Sequence, residues 1–323
     1  MSQPFLGIDV GKSTLHIALL MPNGKSKPKV IPNTPEGHQE LLTWLNHHQV
    51  SPVHACLEAT GVYGDAVAEV LYQANHTVSI VNPARVLGFA KSELRRTKND
   101  KVDAALIARF CAALRPAPWT PAAPEVKHLQ ALVRRLEALN VMRQQEYNRL
   151  AVSTEQVATL IKEHINYLEQ DIQKTKQLIR DHFDQHPGLK QQEDLLRSIP
   201  GIGEVTASVI LAEVQSWDLF VDAKQLAAYM GLTPQEKTSG TSVRGRSQIS
   251  RTGNSRLRKA LYMPAMVSQR FNPLIKTFCE RLLSKGKNKM QVIVAAMRKL
   301  AHLIFGVLKS GKPFDPNYLS ITP

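Results

Sequence analysis

The sequence has few of the features that mark secreted, zinc-binding or membrane-spanning proteins. Its cysteines are widely spaced within apolar runs, which indicates reduced core thiols rather than disulfide bonds: Cys56, Cys111 and Cys279. The eleven histidines form no Cys/His pattern of zinc spacing. No run approaches the roughly 18 consecutive apolar residues of a membrane span, and the N-terminus lacks a signal-peptide pattern. These absences predict a cytoplasmic protein without structural zinc.

Acidic residues are also scarce. The 323 residues include 41 Lys and Arg but only 27 Asp and Glu, which gives a formal net charge of +14. A protein this basic most often binds a polyanion, and nucleic acid is the leading candidate. The charge alone does not exclude the alternative, a basic protein that binds no polyanion.

The first predicted domain, residues 1–124, alternates strand-like and helix-like runs. Three early strands that pair as a meander, followed by β-α-β alternation, predict an α/β fold with a mixed sheet. The predicted strands are residues 5–9, 15–20, 29–31, 53–58 and 77–81, and the predicted helices are residues 37–47, 64–75 and 100–114. Residues 88–99 are predicted to form a basic loop that carries Lys91, Arg95, Arg96 and Lys98.

The rest of the chain is predicted to be helical. Prolines cluster in residues 115–124 and favour an extended spacer. Residues 125–186, the second predicted domain, contain neither proline nor glycine and carry apolar residues at three- and four-residue steps. We favour a coiled-coil arm that pairs with a second copy, and the alternative is a hairpin that packs within its own chain. Residues 187–323 form the third, mainly helical domain.

Four carboxylates in the first domain indicate chemistry. Asp9 and Glu58 end predicted strands, while Asp100 and Asp103 share one face at the start of a predicted helix. The carboxyl edge of an open α/β sheet is where active sites lie, and carboxylate oxygens suit Mg²⁺ acting on a phosphate. The alternatives are a solvated acid at a strand end and acids placed on a helix dipole.

The segment from Gly7 to Thr14 contains Gly-Lys-Ser, which invites comparison with a phosphate-binding P-loop. That motif needs a glycine five positions before Gly11, where the chain has Leu6. An actin-like ATPase would also need a second phosphate-binding glycine loop, which is not found downstream. A strand that ends in a metal-binding aspartate fits the segment better.

Two later segments suit contact with phosphates. The turn at residues 198–203 is typical of a helix-hairpin-helix, in which Gly201 and Gly203 let backbone N–H groups approach DNA; an ordinary interhelical turn is the alternative. From Lys237 to Lys259 there are seven basic residues and no acid. The predicted nucleic-acid contacts in that stretch are Arg244, Arg246, Arg251, Arg256, Arg258 and Lys259.

One hydroxyl in the basic segment is a candidate nucleophile, because a serine among arginines can attack a phosphodiester and keep its energy in a phosphoserine bond. A purely electrostatic DNA clamp is the alternative. Composition leaves the choice open among Ser239, Thr241, Ser242 and Ser247.

Together these motifs resemble the DEDD-type insertion-sequence transposases related to the Piv DNA invertase, a family of bridge-RNA-guided recombinases. The resemblance covers the whole chain and rests on the carboxylate motifs, the 198–203 turn, Gly231-Leu232-Thr233-Pro234, Ser239-Gly240 and the segment from Gly253 to Arg258. It implies a ribonuclease H-like (Holliday-junction-resolvase-like) first domain that binds magnesium through Asp9, Glu58, Asp100 and Asp103. It also implies that Ser239 is the nucleophile, with Ser242 as fallback.

The resemblance further implies a tetramer, a dimer of dimers, that acts on donor and target DNA with a structured guide RNA in the prokaryotic cytoplasm, at the nucleoid. We therefore predict a Mg²⁺-dependent DNA recombinase that moves its own insertion sequence. Its rivals are a hydrolytic junction resolvase, which would use water as nucleophile, and a non-catalytic nucleic-acid-binding scaffold. The number of metal ions, and whether one protomer or two complete the site, stay open.

Overall fold

The fold is taken from a computed structural model of the chain, which describes residues 3–59, 61–93, 100–214, 216–235, 238–239, 243–244 and 248–317. The side chains of residues 62, 100–102, 238–239 and 243–244 are outside this description. The chain folds into two compact units, residues 1–121 and 122–323. A further division of the second unit into an arm and a separate domain stays a prediction.

A five-stranded mixed sheet forms the centre of the first unit. Its strands are β1 (Phe5–Val10), β2 (Thr14–Leu20), β3 (Ser26–Pro32), β4 (His54–Glu58) and β5 (Thr77–Val81), in the order β3-β2-β1-β4-β5. The first three pair as an antiparallel meander, and β4 and β5 run parallel to β1. This order with these directions is the ribonuclease H topology, so the predicted fold class is confirmed.

Helices cover both faces of the sheet. On one face α1 (Pro35–His47) and α2 (Asp65–Gln73) bury leucines and valines against the even-numbered residues of β1, such as Leu6 and Ile8. On the other face α3 (Pro83–Ser92) and α4 (Asp100–Leu114) pack through Val86 and Phe110. This two-faced burial follows from the period-2 alternation of side chains along a strand.

The loop predicted at residues 88–99 is wrong in its first part, because α3 continues through Ser92 and contains Lys91. The helix begins where the side chain of Asn82 accepts a hydrogen bond from the backbone N–H of Ala84, and Pro83 occupies its first turn. These starting signals extend the helix into the basic segment. Residues 94–99, with Arg95, Arg96 and Lys98, lie outside the described residues.

The proline-rich spacer forms neither helix nor strand from residue 115 to residue 123, and part of it lies beside β5. The backbone N–H of Trp119 donates to the carbonyl of Val78 at 2.6 Å. The Ser79 hydroxyl lies within hydrogen-bonding distance of two spacer carbonyls, those of Pro116 (3.0 Å) and Ala117 (2.9 Å). The spacer therefore belongs to the first unit as far as Pro121.

The stretch without proline or glycine forms an antiparallel hairpin of α5 (Pro124–Leu150) and α6 (Glu155–Gln185). The predicted apolar stripe, including Leu129 and Leu136, is buried in one core with Leu168 and Ile172 of α6. Intramolecular packing, the alternative we did not favour, therefore accounts for this stripe. Pairing of the hairpin with a second copy stays a prediction.

In the part of the chain that the structure describes, seven further α-helices of the second unit share one continuous core with α5 and α6. They are α7 (Pro187–Arg197), α8 (Glu204–Glu213), α9 (Ala223–Tyr229), α10 (Ser255–Ala260), α11 (Tyr262–Phe271), α12 (Pro273–Ser284) and α13 (Lys289–Ser310). By length and composition α13 is apolar enough to cross a membrane, with a mean hydropathy of 1.5. It packs against α7, α9, α11 and α12, which is the environment of a core helix.

Candidate active site and nucleic-acid interface

The first candidate site is the carboxyl edge of the central strands, where Asp9 and Glu58 lie side by side. Gly7 of β1 is the register partner of Cys56 of β4, and both face α4. Asp9 and Glu58 are two residues further along their strands and therefore share that face. Neighbouring strands are about 4.8 Å apart, so the two half-buried carboxylates start from adjacent backbone positions.

Helix α4 brings a third carboxylate to this edge. A Cβ on Gly7 would overlap the carbonyl oxygen of Ala104, and further along the helix the Cys111 thiol lies 3.6 Å from the carbonyl of His54. These two contacts make α4 run antiparallel to β1, with its N-terminus at the carboxyl edge. Half-buried Asp103, in the first turn of α4, is thus carried to the edge occupied by Asp9 and Glu58.

The chemistry of these donors fits magnesium, because carboxylate oxygens are the ligands that Mg²⁺ prefers. Within the part of the chain that the structure describes, no three His, Cys, Asp or Glu side chains are grouped closely enough to hold a metal ion. Asp100 begins α4, and its side chain lies outside the description. Metal binding by Asp9, Glu58, Asp100 and Asp103 therefore stays a prediction.

The sequence prediction missed His16, which lies next to Asp9. Asp9 and His16 are register partners in the β1–β2 hairpin and share the face covered by α4. The hairpin register is fixed by its turn, where the N–H of Gly11 donates to the carbonyl of Thr14 at 2.9 Å. Counting back from that turn is the signal that could have identified His16.

Asn33 joins the two loops that follow the strand-end carboxylates. Its side-chain amide donates to the carbonyls of Gly11 and Tyr63, both at 3.0 Å, so the turn after β1 is tied to the turn after β4. The Nε2 atom of His38 donates to Asn33 Oδ1 at 2.8 Å. Burial lowers the pKa of His38, which favours the neutral ring at neutral pH. This pair had no distinguishing signal in the sequence.

The second candidate site is the segment that carries Ser239. The backbone of Ser239 pairs with Val243 in a short hairpin between β7 (Thr238–Ser239) and β8 (Val243–Arg244). On either side of this hairpin in the sequence, β6 (Pro234–Gln235) pairs with β9 (Gln248–Ile249). The side chain of Ser239 and all of Thr241, Ser242 and Ser247 lie outside the described residues, so the choice of nucleophile stays a prediction.

The two ends of this segment, which we call the hairpin base (residues 229–234 and 248–256), are packed backbone to backbone. A Cβ on Gly253 would lie 2.6 Å from the nitrogen of Gly231 and even closer to the carbonyl of Tyr229. Gly253 has φ of +144° and Gly231 has φ of +69°, conformations that favour glycine. Both glycines of the family-like motifs are thus explained by the close approach of the two ends.

The carboxylate of Glu213, at the end of α8, holds the hairpin base. It is 8% exposed and accepts hydrogen bonds from Asn254 Nδ2 at 2.8 Å and Arg256 Nη1 at 3.2 Å. Arg134 Nε of α5 lies 3.9 Å from it. The backbone carbonyl of Glu213 also accepts from the Tyr229 hydroxyl at 3.2 Å. One residue therefore contacts both ends of the segment that carries Ser239.

Replacing Glu213 with alanine should loosen the hairpin base. We expect a loss of roughly 2–3 kcal/mol in the free energy of unfolding, since Arg256 and Asn254 lose a charged acceptor and Arg134 loses a nearby opposite charge. The loss stays below that for a fully buried pair because the side chains of Arg134 and Arg256 are 36% and 41% exposed. Hydrogen exchange of peptides from residues 229–234 and 248–259 measures it.

The matched control is Glu137→Gln, because Glu137 also contacts Arg256 but is 37% exposed. An exposed ion pair contributes less than about 1 kcal/mol, so exchange at the hairpin base should stay close to that of the wild type. Equal effects of the Glu137 and Glu213 substitutions would contradict a special role for Glu213.

Three predicted nucleic-acid contacts also bond within the protein. Arg256 Nε and Lys259 Nζ lie 3.7 and 3.4 Å from carboxylate oxygens of Glu137, and Arg258 Nη1 donates to the carbonyl of Arg251 at 3.2 Å. These bonds join side chains of α10 to α5 and to the backbone of Arg251, and contact with nucleic acid stays a prediction. Arg251 is exposed, whereas the side chain of Arg244 and all of Arg246 lie outside the description.

The predicted helix-hairpin-helix is a turn between α7 and α8. Gly201 has φ of +107°, and a Cβ there would overlap the hydroxyl of Ser268, so packing alone requires this glycine. Gly203 is exposed, and a Cβ added there would have no neighbouring atom within 4 Å. At the start of α8 the carboxylate of Glu204 binds Arg180 through two bonds of 2.7 and 3.1 Å. That carboxylate would repel a phosphate at the start of α8. Phosphate binding at this turn stays a prediction, and the position of Glu204 argues against it.

Comparison with sequence families gives two matches that together span most of the chain. Residues 6–158 match the profile of DEDD transposases of the IS110 type. Residues 193–280 match the profile described as the transposase IS116/IS110/IS902 family. The first match contains all four candidate carboxylates, and the second contains Ser239 and the hairpin base.

Individual relatives match over nearly the full length. The pilin gene-inverting proteins of Moraxella bovis and Moraxella lacunata are each 34% identical over 318 residues, which cover 98% of both chains. The transposase for insertion sequence element IS1328 of Yersinia enterocolitica is 25% identical over 81% of this chain and 83% of its own. The structure of Thermus thermophilus RuvC, 18% identical, covers 35% of this chain and 97% of that one with a TM-score of 0.28.

Proposed function

Since the chain belongs to the IS110/IS116/IS902 family of DEDD transposases, we propose that it is the Mg²⁺-dependent recombinase of an insertion sequence, with Ser239 as nucleophile. The observation that carries the proposal is the position of Asp9 and Glu58 on adjacent strands at the carboxyl edge of a ribonuclease H-type sheet, with the start of α4, which contains Asp103, at the same edge. A carboxylate edge in so basic a protein suits chemistry on a nucleic-acid backbone.

The proposed reaction exchanges one phosphodiester bond for another. Ser239 Oγ attacks a backbone phosphorus, its proton passes to a base, and the bond from phosphorus to the leaving strand oxygen breaks as that oxygen takes up a proton. The second strand's hydroxyl then attacks the phosphoserine and releases Ser239 in its original form. Magnesium, if held by Asp9, Glu58, Asp100 and Asp103, would stabilise charge on the reacting phosphate. Arg244 and Arg246 are placed by sequence beside Ser239 to do the same.

The decisive experiment looks for the covalent intermediate. Wild-type protein incubated with Mg²⁺ and labelled DNA that spans an element end should yield a protein–DNA adduct that survives a denaturing gel. Ser239→Ala should yield none, because the alanine has no nucleophilic oxygen. Ser242→Ala is the matched control and should keep the adduct. Loss of the adduct in Ser242→Ala alone would transfer the role to Ser242.

A hydrolytic junction resolvase is the second candidate, because the same carboxylate edge can direct water to a phosphate. It predicts that Ser239→Ala cleaves DNA at the wild-type rate and that the wild type forms no adduct. The covalent adduct therefore separates the two functions.

The proposed partners are donor DNA, target DNA and a structured guide RNA, and the proposed assembly is a dimer of dimers in the prokaryotic cytoplasm, at the nucleoid. The net charge of +14 supports nucleic-acid partners. Exposed apolar side chains on the distal half of the α5–α6 hairpin are the proposed contacts with a second copy, because a contiguous exposed apolar patch often marks an interface. They are Val141, Met142, Tyr147, Val152, Val157, Leu160 and Tyr167.

A further inference from the structure

Positive charge is concentrated in the last third of the chain, well beyond the segment around Ser239. Residues 237–314 contain 17 Lys and Arg and a single acid, Glu280. Ten of those 17 basic residues follow Lys259 in the sequence. The net positive charge of residues 237–314 is therefore larger than that of the whole protein. Many of these basic residues lie on helices that take no part in the proposed reaction.

The turn between α12 and α13, which we call the lysine turn (residues 284–289), contains Lys285, Lys287 and Lys289. All three are exposed, and none forms an ion pair with any other residue that the structure describes. Elsewhere in the second unit basic residues bond to acids, as Arg180 does to Glu204 and Lys190 to Glu193. Three like charges within five residues repel one another. Contacts within the protein therefore do not explain why three lysines lie in this turn.

The backbone of the lysine turn has a fixed conformation. Gly286 has φ of +74°, and its N–H donates to the carbonyl of Leu283 at 2.9 Å. Asn288 and Gln291 form a capping box, with bonds of 2.9 and 3.2 Å, that fixes the start of α13. The three lysines are therefore presented from a defined scaffold rather than from a loose tail.

Helix α13 sets the spacing between the lysine turn and the hairpin base. Arg298 Nη1 donates to the carbonyl of Leu232 in the hairpin base at 3.3 Å. Lys289 lies nine residues before Arg298 on the same helix, a distance of about 14 Å along the axis. Since one turn of B-DNA is about 34 Å long, a duplex that lies against the hairpin base can span the distance to the start of α13 within half a turn.

We propose that Lys285, Lys287 and Lys289 bind the phosphate backbone of the same DNA duplex that the Ser239 hairpin engages. Exposed lysines bind phosphates as point charges and do not read bases. The lysine turn has no aromatic side chain on which unpaired bases could stack, which favours a duplex over a single strand. The binding of a duplex by these lysines does not depend on the proposed function. Only the position of this contact relative to the phosphate that reacts with Ser239 rests on it.

The test is the salt dependence of binding to a duplex of random sequence. Full-length Lys285→Gln/Lys287→Gln/Lys289→Gln should have a slope of log affinity against log salt that is smaller by about 2.7, because each phosphate contact contributes about 0.9. Between 50 and 200 mM salt the wild type should therefore lose about 40-fold more affinity than the variant. Hairpin RNA of equal length is measured in parallel.

A matched control carries the same charge change on the proximal half of the α5–α6 hairpin: Lys127→Gln/Lys174→Gln/Lys176→Gln. It should keep the wild-type slope for DNA. The proposal would be overturned if the salt slope fell equally in both triple variants, or if it did not fall in the lysine-turn variant. A smaller slope seen only with RNA would also overturn it. Ser239→Ala should keep the wild-type salt slope. Absence of the covalent adduct would therefore contradict the proposed function, whereas an unchanged slope in the lysine-turn variant would contradict only the lysine contact.

Discussion

Asp9→Asn and Glu58→Gln should each reduce strand cleavage by about a hundredfold or more while leaving the fold and DNA binding intact. Each substitution keeps the shape of the side chain but removes the charge that would hold a divalent cation, and loss of one electrostatic contact to a reacting group typically costs this much in rate. Both residues are half-buried at the sheet edge. Cleavage of labelled element-end DNA in Mg²⁺ measures the effect.

Glu40→Gln is the matched control, because it makes the same charge change in the first unit. Glu40 lies on α1, on the opposite face of the sheet, where its exposed carboxylate binds Lys29. Its variant should cleave at the wild-type rate. A non-catalytic scaffold makes a different prediction, since Asp9→Asn and Glu58→Gln would then function like the wild type and the carboxylate edge would have no catalytic role.

The first unit was predictable because its signals are local. The strand at residues 77–81 and the helix at residues 100–114 have the predicted bounds, since apolar periodicity and turn residues mark both ends. Placing Asp9 and Glu58 on one edge needed only the observation that they end strands. Predicting that α4 runs back along β1 was harder, because that depends on Gly7 meeting Ala104 across nearly a hundred residues.

The second unit shows where sequence reasoning reaches its limit. The apolar stripe of α5 is equally suited to a partner helix from another chain and to α6, and only the three-dimensional packing distinguishes them. The basic segment suggested arginines facing DNA, yet Arg256 bonds to Glu213 and Glu137. Ion pairs between residues that are distant in the sequence leave no recognisable pattern in a single sequence. A charged residue that forms an ion pair cannot be told from one that does not.

Gly7→Ala should destabilise the first unit by about 3 kcal/mol or more and abolish cleavage. A Cβ at this position would overlap the backbone of α4, at the carbonyl of Ala104 and the nitrogen of Ala108, and backbone cannot rotate away as a side chain can. The helix would have to move off β1 and take Asp103 away from Asp9 and Glu58. Hydrogen exchange of peptides that cover β1 and α4 in the full-length protein measures the loss.

Gly88→Ala provides the matched control, since Gly88 lies inside α3 with no atom within 4 Å of the added Cβ. Alanine there should stabilise the helix by up to about 1 kcal/mol and leave cleavage unchanged. If Gly7→Ala exchanges as slowly as the wild type and still cleaves DNA, then the close contact of α4 with β1 is not what carries Asp103 to the sheet edge. The carboxylate edge would then depend on Asp9 and Glu58 alone, whose adjacent strands fix them without α4.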